Sequence, residues 1–424
     1  MSMSRKELEK LYKNLFSLNR SIVSEENLYA LDYISENYPV KIHTFNGGEN
    51  CFDWVVPRCW KLLKGQIKNL NGEVVYDVSD NTLRILNFCN SFSSVIKKEE
   101  LDSHIFTLPD SPETIPYRTS YYSEGWGFCM PHNTYKTLND KEYEVIIETE
   151  FNDTPLVVGE LSIGPKNAKE VILTSYFCHP KQANDGLSGV IMLLKLYDLL
   201  KDKKNLKYRY RLFFLPETIG SICLLSNKII EPKNVEFGLV STCVGLGDCI
   251  TYKRTFVNNH TLDNVVNHVL RNSNNDYEIR DYWPNGSDER QFSSPGVEIP
   301  TGTLMRTPFE EFKEYHTSED NLELVSIDLI EKMAYIYYKI LSTYEVLKYP
   351  KVFTDGGETF LSKHKLYRSV GVPGHTEEGR IISWILHLSN GKNSLVDISI
   401  KSGYNLRIIE DLTNKLLKKK VVWL

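Results

Sequence analysis

A histidine and an aspartate stand six residues apart in the stretch Cys178, His179, Pro180, Lys181, Gln182, Ala183, Asn184, Asp185. Both side chains could be metal ligands. They could equally be a turn residue and a helix cap. Four further constellations follow in the chain. Glu217 comes directly after the apolar run 213–216, where an α/β sheet would present a general base; a capping or surface glutamate would look the same. Cys243 and Asp248 follow another apolar run and could complete a coordination shell or be structural. The loop 286–292 sets Asp288, Glu289 and Arg290 in a row. An exposed loop explains such a row, but Arg290 could also hold a substrate carboxylate, with Arg306 as a second clamp. The last constellation is 314–320, where His316 lies just before a long helical pattern. Two imidazoles and a carboxylate suit Zn²⁺ with one position open for water. A free carboxylate beside them can take the proton of that water. The chemistry this set points to is metal-assisted hydrolysis of an amide.

These residues need a frame. Val171, Ile172 and Leu173 read as a buried strand before His179. Gly186 and Gly189 allow tight turns after it, and Val190, Leu193, Leu194 and Tyr197 then recur at helical spacing. Strand patterns fall at 156–163, 170–176, 208–215 and 237–244, with helical patterns at 261–270 and 327–344. The expected frame is a mostly parallel sheet with helices on both faces, presenting its chemistry at the strands' carboxyl ends. Residues 4–37 read as helical. Residues 50–150 carry short β-like runs at 68–78, 82–88 and 143–150 between Pro and Gly turns. Tyr121, Tyr122 and Trp126 lie among them and could be core or could wall a pocket. After a polar linker from 351 to 372, three helices (377–389, 395–402, 405–418) and a terminal apolar strand (421–424) read as a winged helix. The implied division is an α/β domain of residues 1–49 and 146–350, an inserted β-rich domain of 50–145, and a linker with winged helix over 351–424.

Composition narrows the function. With 424 residues the chain can bury a large core, and 50 Lys and Arg against 55 Asp and Glu give a formal charge of −5. No basic field calls for nucleic acid, and the winged helix is only mildly basic, so packing or self-association into a homo-oligomer is its expected use. The amphipathic start lacks the apolar core of a signal peptide, and no run reaches the roughly 18 apolar residues of a membrane span. Eight scattered cysteines form no CxxC pair and are expected to be reduced thiols in a cytoplasmic protein.

Taken together, residues 52–57, 119–129, 178–180, 183–189, 216–221, 286–292 and 314–320 resemble the zinc-dependent aminopeptidases of the two-metal type. More closely, they resemble a bacterial aminopeptidase-like family often linked to polysaccharide biosynthesis. The resemblance implies a mixed sheet with helices on both faces, an inserted small β-rich domain and a C-terminal winged helix. It implies His179 as first metal ligand, Asp185 as the bridging carboxylate, Glu217 as catalytic base and His316 as last ligand. Two departures stand out: Thr218 occupies the place of a second metal-binding Glu, and Cys243 that of a later Asp. The Asp that orients the first His is also missing. One zinc on His179, Asp185 and His316 is the expected site, with a second using Cys243 possible. Asp288 and Glu289 are expected to receive a substrate amine, and Tyr121, Tyr122 and Trp126 to border the pocket. The expected substrate is a small peptide or amide. An amidase or deacylase acting on an amino-sugar or glycan precursor is the alternative, and a non-catalytic regulatory protein with a degenerate peptidase domain is a third.

Overall fold

The structure is a computed structural model that describes residues 3–354, 356–366 and 376–424. Its frame is an eight-stranded mixed sheet in the order Lys41–Phe45, Leu156–Ile163, Arg209–Leu215, Glu170–Tyr176, Val235–Ser241, Thr301–Met305, Ile250–Lys253, Tyr277–Arg280. The four strands from Arg209–Leu215 to Thr301–Met305 run parallel to one another. They are buried on both faces almost throughout, as central parallel strands are, although Thr301–Met305 is built from small and mixed side chains and Arg209–Leu215 carries Arg211. The pairs at the Lys41–Phe45 edge are antiparallel, as is the pairing of Ile250–Lys253 with Thr301–Met305.

One face of the sheet packs against helices Arg5–Ser17, Leu187–Leu200, Thr261–Arg271 and Ile327–Glu345, which contribute Leu15, Leu193, Val265 and Tyr337 to one core. Tyr337 donates its hydroxyl to the carbonyls of Val240 and Leu304, at 3.1 and 2.9 Å. The other face is covered by helix Ile219–Ser226 and by the inserted unit, through Phe213, Leu215, Ile222 and Trp60. The insertion is a four-stranded antiparallel sheet in the order Val74–Asp77, Cys59–Lys68, Glu142–Asn152, Phe92–Lys97.

The insertion also reaches back to the main domain. Residues 115–118 run beside the loop that carries His316: Tyr117 N donates to His316 O at 2.7 Å, and Ser318 N to Ile115 O at 2.8 Å.

Several expected boundaries move. The helical region 4–37 is two helices, Arg5–Ser17 and Glu25–Ser35, parted by an extended segment that buries Arg20. The run 82–88 is not a strand. Asn81 accepts a hydrogen bond from Leu83 N at 3.0 Å and turns the chain into a 3₁₀ helix, Thr82–Arg84. Strand Glu142–Asn152 passes straight through the expected boundary at 145/146. Strands Lys41–Phe45, Ile250–Lys253, Tyr277–Arg280 and Thr301–Met305 were not expected.

The C-terminal helices Glu377–Leu388, Leu395–Ser402 and Leu406–Lys418 enclose a core of their own with Ile385, Ile398, Ile409 and Leu416. The terminal strand Val422–Trp423 pairs with Lys351–Val352, so the expected linker opens with a strand; its positions 355 and 367–372 lie outside the described residues. Gly403, at φ 77°, supplies the left-handed turn between the last two helices. Helix Leu395–Ser402 docks on the main domain, where Asp397 accepts from Asn264 Nδ2 at 2.7 Å. No described helix is long and apolar enough to cross a membrane.

Candidate metal centre

Three loops bring His179, Asp185 and His316 together, with one ligand atom from each lying within 4.8 Å of the others. His179 follows strand Glu170–Tyr176 and is buried. Its Nδ1 lies 3.4 Å from Cys178 Sγ, the contact that stands where an orienting Asp was missing. Burial pushes its pKa down to about 4, so the ring is neutral at pH 7 and keeps a lone pair for a ligand.

Asp185 precedes helix Leu187–Leu200. Gly186 holds φ 81° there, and a Cβ on it would meet the Tyr176 ring at 2.5 Å. The loop is fixed from behind by Asp320, whose carboxylate accepts from Asn184 N at 2.6 Å and Asp185 N at 2.9 Å. Tyr176 donates its hydroxyl to Asp185 Oδ1. Burial would raise the Asp185 carboxyl, but His179 and His316 outweigh it and bring the pKa to about 2. His316, at φ 52°, stacks on Tyr315 with ring centroids 4.0 Å apart and meets the edge of Tyr117 at 5.1 Å.

Asp185 Oδ2 and His316 Nε2 lie 3.0 Å apart, yet neither makes an aligned hydrogen bond and both atoms are buried. Buried polar atoms are ordinarily partnered. A carboxylate oxygen and an imidazole nitrogen aimed at one point, with a neutral imidazole beside them, fit a divalent cation with N and O ligands.

Glu217 sits next to this cluster. Its Oε2 is 3.8 Å from His179 Nε2, and Ser287 Oγ donates to its Oε1 at 2.7 Å. The side chain keeps 26% exposure, which makes it the acid that can face a substrate. Burial, with the charges of Asp288 and Asp185, pushes its pKa up to about 8. Thr218 takes φ 66° and ψ −69°, a tight γ-turn closed by Ile219 N to Glu217 O at 2.8 Å. Asp288 braces the turn, accepting from Thr218 N at 2.8 Å and Ser221 Oγ at 2.7 Å. Such strain persists only where surrounding contacts over-determine it, and it concentrates at functional sites.

A family model described as "Domain of unknown function (DUF4910)" matches residues 9–346, and one described as winged helix-turn-helix matches 349–423. The chain belongs to the DUF4910 family. A Clostridium acetobutylicum relative, provisionally named a polysaccharide biosynthesis protein with aminopeptidase-like domain, is 36% identical over 417 residues, covering 98% of this chain and 96% of its own. A crystal structure of a provisionally assigned peptidase from Clostridium acetobutylicum superposes with a TM-score of 0.82 at 36% identity, covering 99% of this chain and 96% of that one. A zinc aminopeptidase from Bacillus subtilis superposes at 0.56 with 14% identity, covering 80% of this chain and 94% of that one. At that identity the likeness shows a shared fold: an aminopeptidase-like mixed sheet, here followed by a winged helix.

Within this DUF4910 chain the other expected site residues fall in two groups. Arg290 and Tyr121 lie close to the centre. Arg290 donates to Thr218 Oγ1 at 3.2 Å, and Tyr121 shares a 2.6 Å hydrogen bond with Tyr117, whose ring touches both histidines.

The rest do other work. Glu289 is no amine receptor: it is fully buried against Lys253 at 2.7 Å. Asp288 is equally inaccessible, and its Oδ1 is taken by the Thr218 turn. Arg306 is no clamp, since its guanidinium braces the carbonyls of Gly247 and Asp248 at 2.7 and 2.9 Å. Cys243 sits in an apolar cluster with Met305 and Phe312, its Sγ 3.9 Å from Asp185 Oδ1, and burial pushes its thiol well above neutrality. Asp248 is exposed and outside the cluster. Trp126 does not border a pocket: it is sandwiched between Phe92 and His104, centroids 3.9 and 3.7 Å away. Tyr122 is 51% exposed and meets the edge of Trp54. Tyr117, Tyr176, Ser287 and Asp320 support the site without having been singled out. Ser287 and Asp320 lay inside motifs already noted. The signal for Tyr176 was a run of hydroxyls, Thr174, Ser175 and Tyr176, at the carboxyl end of an otherwise apolar strand.

Proposed function

We propose that this chain hydrolyses a peptide or amide bond, with one zinc ion held by His179, Asp185 and His316 and with Glu217 as general base. The observation that carries the reading is the convergence of Asp185 Oδ2 and His316 Nε2, both buried and 3.0 Å apart without an aligned hydrogen bond, beside a neutral His179. A zinc ion bound there would supply a water acidified towards pKa ~7 and a positive charge that keeps Glu217 ionised. The chain's own residues do the rest. Cys178 orients the His179 ring, Tyr176 fixes the Asp185 carboxylate, and Ser287 aims Glu217 Oε2 at the cluster. Glu217 then accepts a proton at Oε2 and can return it to the leaving nitrogen. The Thr218 turn, braced by Asp288, keeps that oxygen in place.

The amino-sugar alternative also has an observation behind it. The carboxylates expected to receive a free α-amine, Asp288 and Glu289, are inaccessible. Glu217, the partly exposed acid beside the cluster, is already assigned as the base. A substrate without a free amine fits this better, and the relative named for polysaccharide biosynthesis is in keeping with an acylated amino sugar. The regulatory reading draws on Thr218 and Cys243, which stand where the resembling enzymes carry metal-binding acids.

One experiment separates the three. Purified protein is analysed for divalent metal, reloaded with zinc or manganese, and offered aminoacyl fluorogenic amides and N-acyl amino sugars in parallel. Hydrolysis of one class decides between the enzymes. Absence of bound metal together with absence of turnover on both classes overturns the catalytic reading.

A further inference from the structure

Two cysteines outside the metal centre meet sulfur to sulfur. Cys51 and Cys223 are 172 positions apart in the chain, yet the Cys51 thiol donates to Cys223 Sγ at 3.6 Å. Both side chains are fully buried, in the core that the sheet shares with the inserted unit. All eight cysteines are free thiols, and among the described residues this is the one hydrogen bond that runs from thiol to thiol. Asn227 closes the other side. Its Nδ2 lies 3.9 Å from Cys51 Sγ and donates to Cys223 O at 3.1 Å.

The elements that carry the two sulfurs are held very differently. Cys223 belongs to helix Ile219–Ser226, which starts at the Thr218 turn and is buried over all but its last residue. Cys51 belongs to a hairpin of two-residue strands, Asn50–Cys51 and Trp54–Val55. Phe52, Trp54 and Val55 are 66, 36 and 49% exposed, and Asn50 and Asp53 are exposed as well. Cys51 is therefore the single residue from 50 to 55 that the core grips. An element held by so few buried contacts opens locally while the rest of the fold stays closed. Opening carries Cys51 into solvent, and closing returns it to Cys223. A disulfide has its sulfurs about 2.05 Å apart, so about 1.5 Å remains to be closed, within reach of a side-chain rotation and a small shift of the hairpin.

We infer that Cys51 and Cys223 form a reversible modification site, joined as a disulfide by a two-electron oxidant of the peroxide class and parted again by a dithiol. With hydrogen peroxide, Cys51 gives its proton to water as the hairpin opens, and its thiolate attacks one peroxide oxygen. The O–O bond breaks. The sulfur becomes a sulfenic acid, and the second oxygen leaves as hydroxide and takes the proton up as water. On closing, the Cys223 sulfur attacks the sulfenic sulfur, the S–O bond breaks, and the hydroxyl leaves with the Cys223 proton as a second water. Two thiols and one peroxide thus give one disulfide and two waters. Burial pushes the Cys223 thiol up, so the first attack belongs to Cys51. The new bond ties the start of the inserted unit to the helix that follows Glu217. The inference stands apart from the hydrolase reading, because it uses no metal ligand and no substrate.

Two measurements test it on the full-length protein. The folded protein is treated with hydrogen peroxide, its remaining thiols are blocked with N-ethylmaleimide in urea, and unreduced peptides are read by mass spectrometry. A peptide linked through Cys51 and Cys223 should appear and should vanish on treatment with dithiothreitol, while buried Cys89 and Cys129 still carry maleimide. Maleimide on both Cys51 and Cys223, under conditions that oxidise the partly exposed Cys249, overturns the inference. So does linkage that appears only together with oxidation of Cys89 and Cys129, because it would report unfolding. The linked protein should also melt at least about 3 °C above the reduced protein, since the bond closes a long loop. That gain should be absent in Cys51→Ala, with Cys223→Ala serving if the first variant does not fold. Equal midpoints for the linked and reduced protein overturn the tie between the two units.

Discussion

Lys253 ends strand Ile250–Lys253 with its side chain fully buried, and Lys253→Met isolates what that burial is worth. Its Nζ donates to Glu289 Oε1 and to the carbonyl of Asn285, both at 2.7 Å, and lies 4.3 Å from the centroid of the Trp283 ring. Methionine keeps the volume and removes the charge. Glu289, itself 0% exposed, would then hold a carboxylate with no cation, and its Oε2 already lacks a partner. Breaking a buried pair from one side costs about 3–5 kcal/mol, because the remaining charge is left uncompensated. Replacing both partners, in Lys253→Met with Glu289→Gln, removes that charge, and the double variant should recover at least about 2 kcal/mol of the loss. The assay is urea unfolding at pH 7 followed by circular dichroism and by tryptophan fluorescence, with coincident transitions required before midpoints are compared. A single variant within about 0.5 kcal/mol of the parent would refute the reasoning. So would a double variant as unstable as the single, since the coupling would then be absent. Glu289 adjoins Asp288, which braces the Thr218 turn, so the single variant should also lose turnover.

Three further outcomes are expected. Glu217→Gln should keep its equivalent of zinc by calorimetry while turnover falls by about 10²–10⁴-fold; a full rate would remove Glu217 from the role of base. Tyr176→Phe should weaken zinc binding by about 10–100-fold in a chelator competition, because the Asp185 carboxylate loses the hydroxyl that orients it; unchanged affinity would show that the hydroxyl has no such part. The third concerns acid. Glu160 is buried, which would raise its carboxyl, but His43 at 2.7 Å and Arg211 at 2.7 and 3.0 Å outweigh this and hold it well below the usual range. The folded state then binds fewer protons than the unfolded state. The stabilisation is complete above the unfolded pKa of about 4.3 and is lost as pH falls below it. Midpoints recorded from pH 7 to pH 3 should fall less steeply in Glu160→Gln than in the parent, and parallel curves would contradict this.

Much of the frame could be read from residue order alone. Glu170–Tyr176 and Arg209–Leu215 are central strands, and their apolar stretches Val171–Leu173 and Leu212–Leu215 reflect burial on both faces. Thr301–Met305 escaped notice because its side chains are small and mixed. It is buried by close approach of its neighbour: a Cβ at Gly238 would meet Thr301 Oγ1 at 2.7 Å. The site was legible where turn glycines and strand ends bracket a polar residue, as around Asp185 and Glu217. It was not legible where role depends on a distant partner. Glu289 and Glu217 are both glutamates in polar loops, and what separates them is that Lys253 reaches one and not the other. Arg306 and Trp126 mislead in the same way, because a guanidinium on carbonyls or an indole between two rings leaves no local trace.

The backbone hydrogen bonds between residues 115–118 and the segment around His316 carry a consequence for modularity. The last histidine of the cluster is railed into position by a piece of chain nearly 200 residues upstream, inside the insertion. Trimming that insertion, or exchanging it for another, would not leave the candidate cluster intact with a new mouth. It would unhitch His316 from the candidate cluster, so the two units work as a pair.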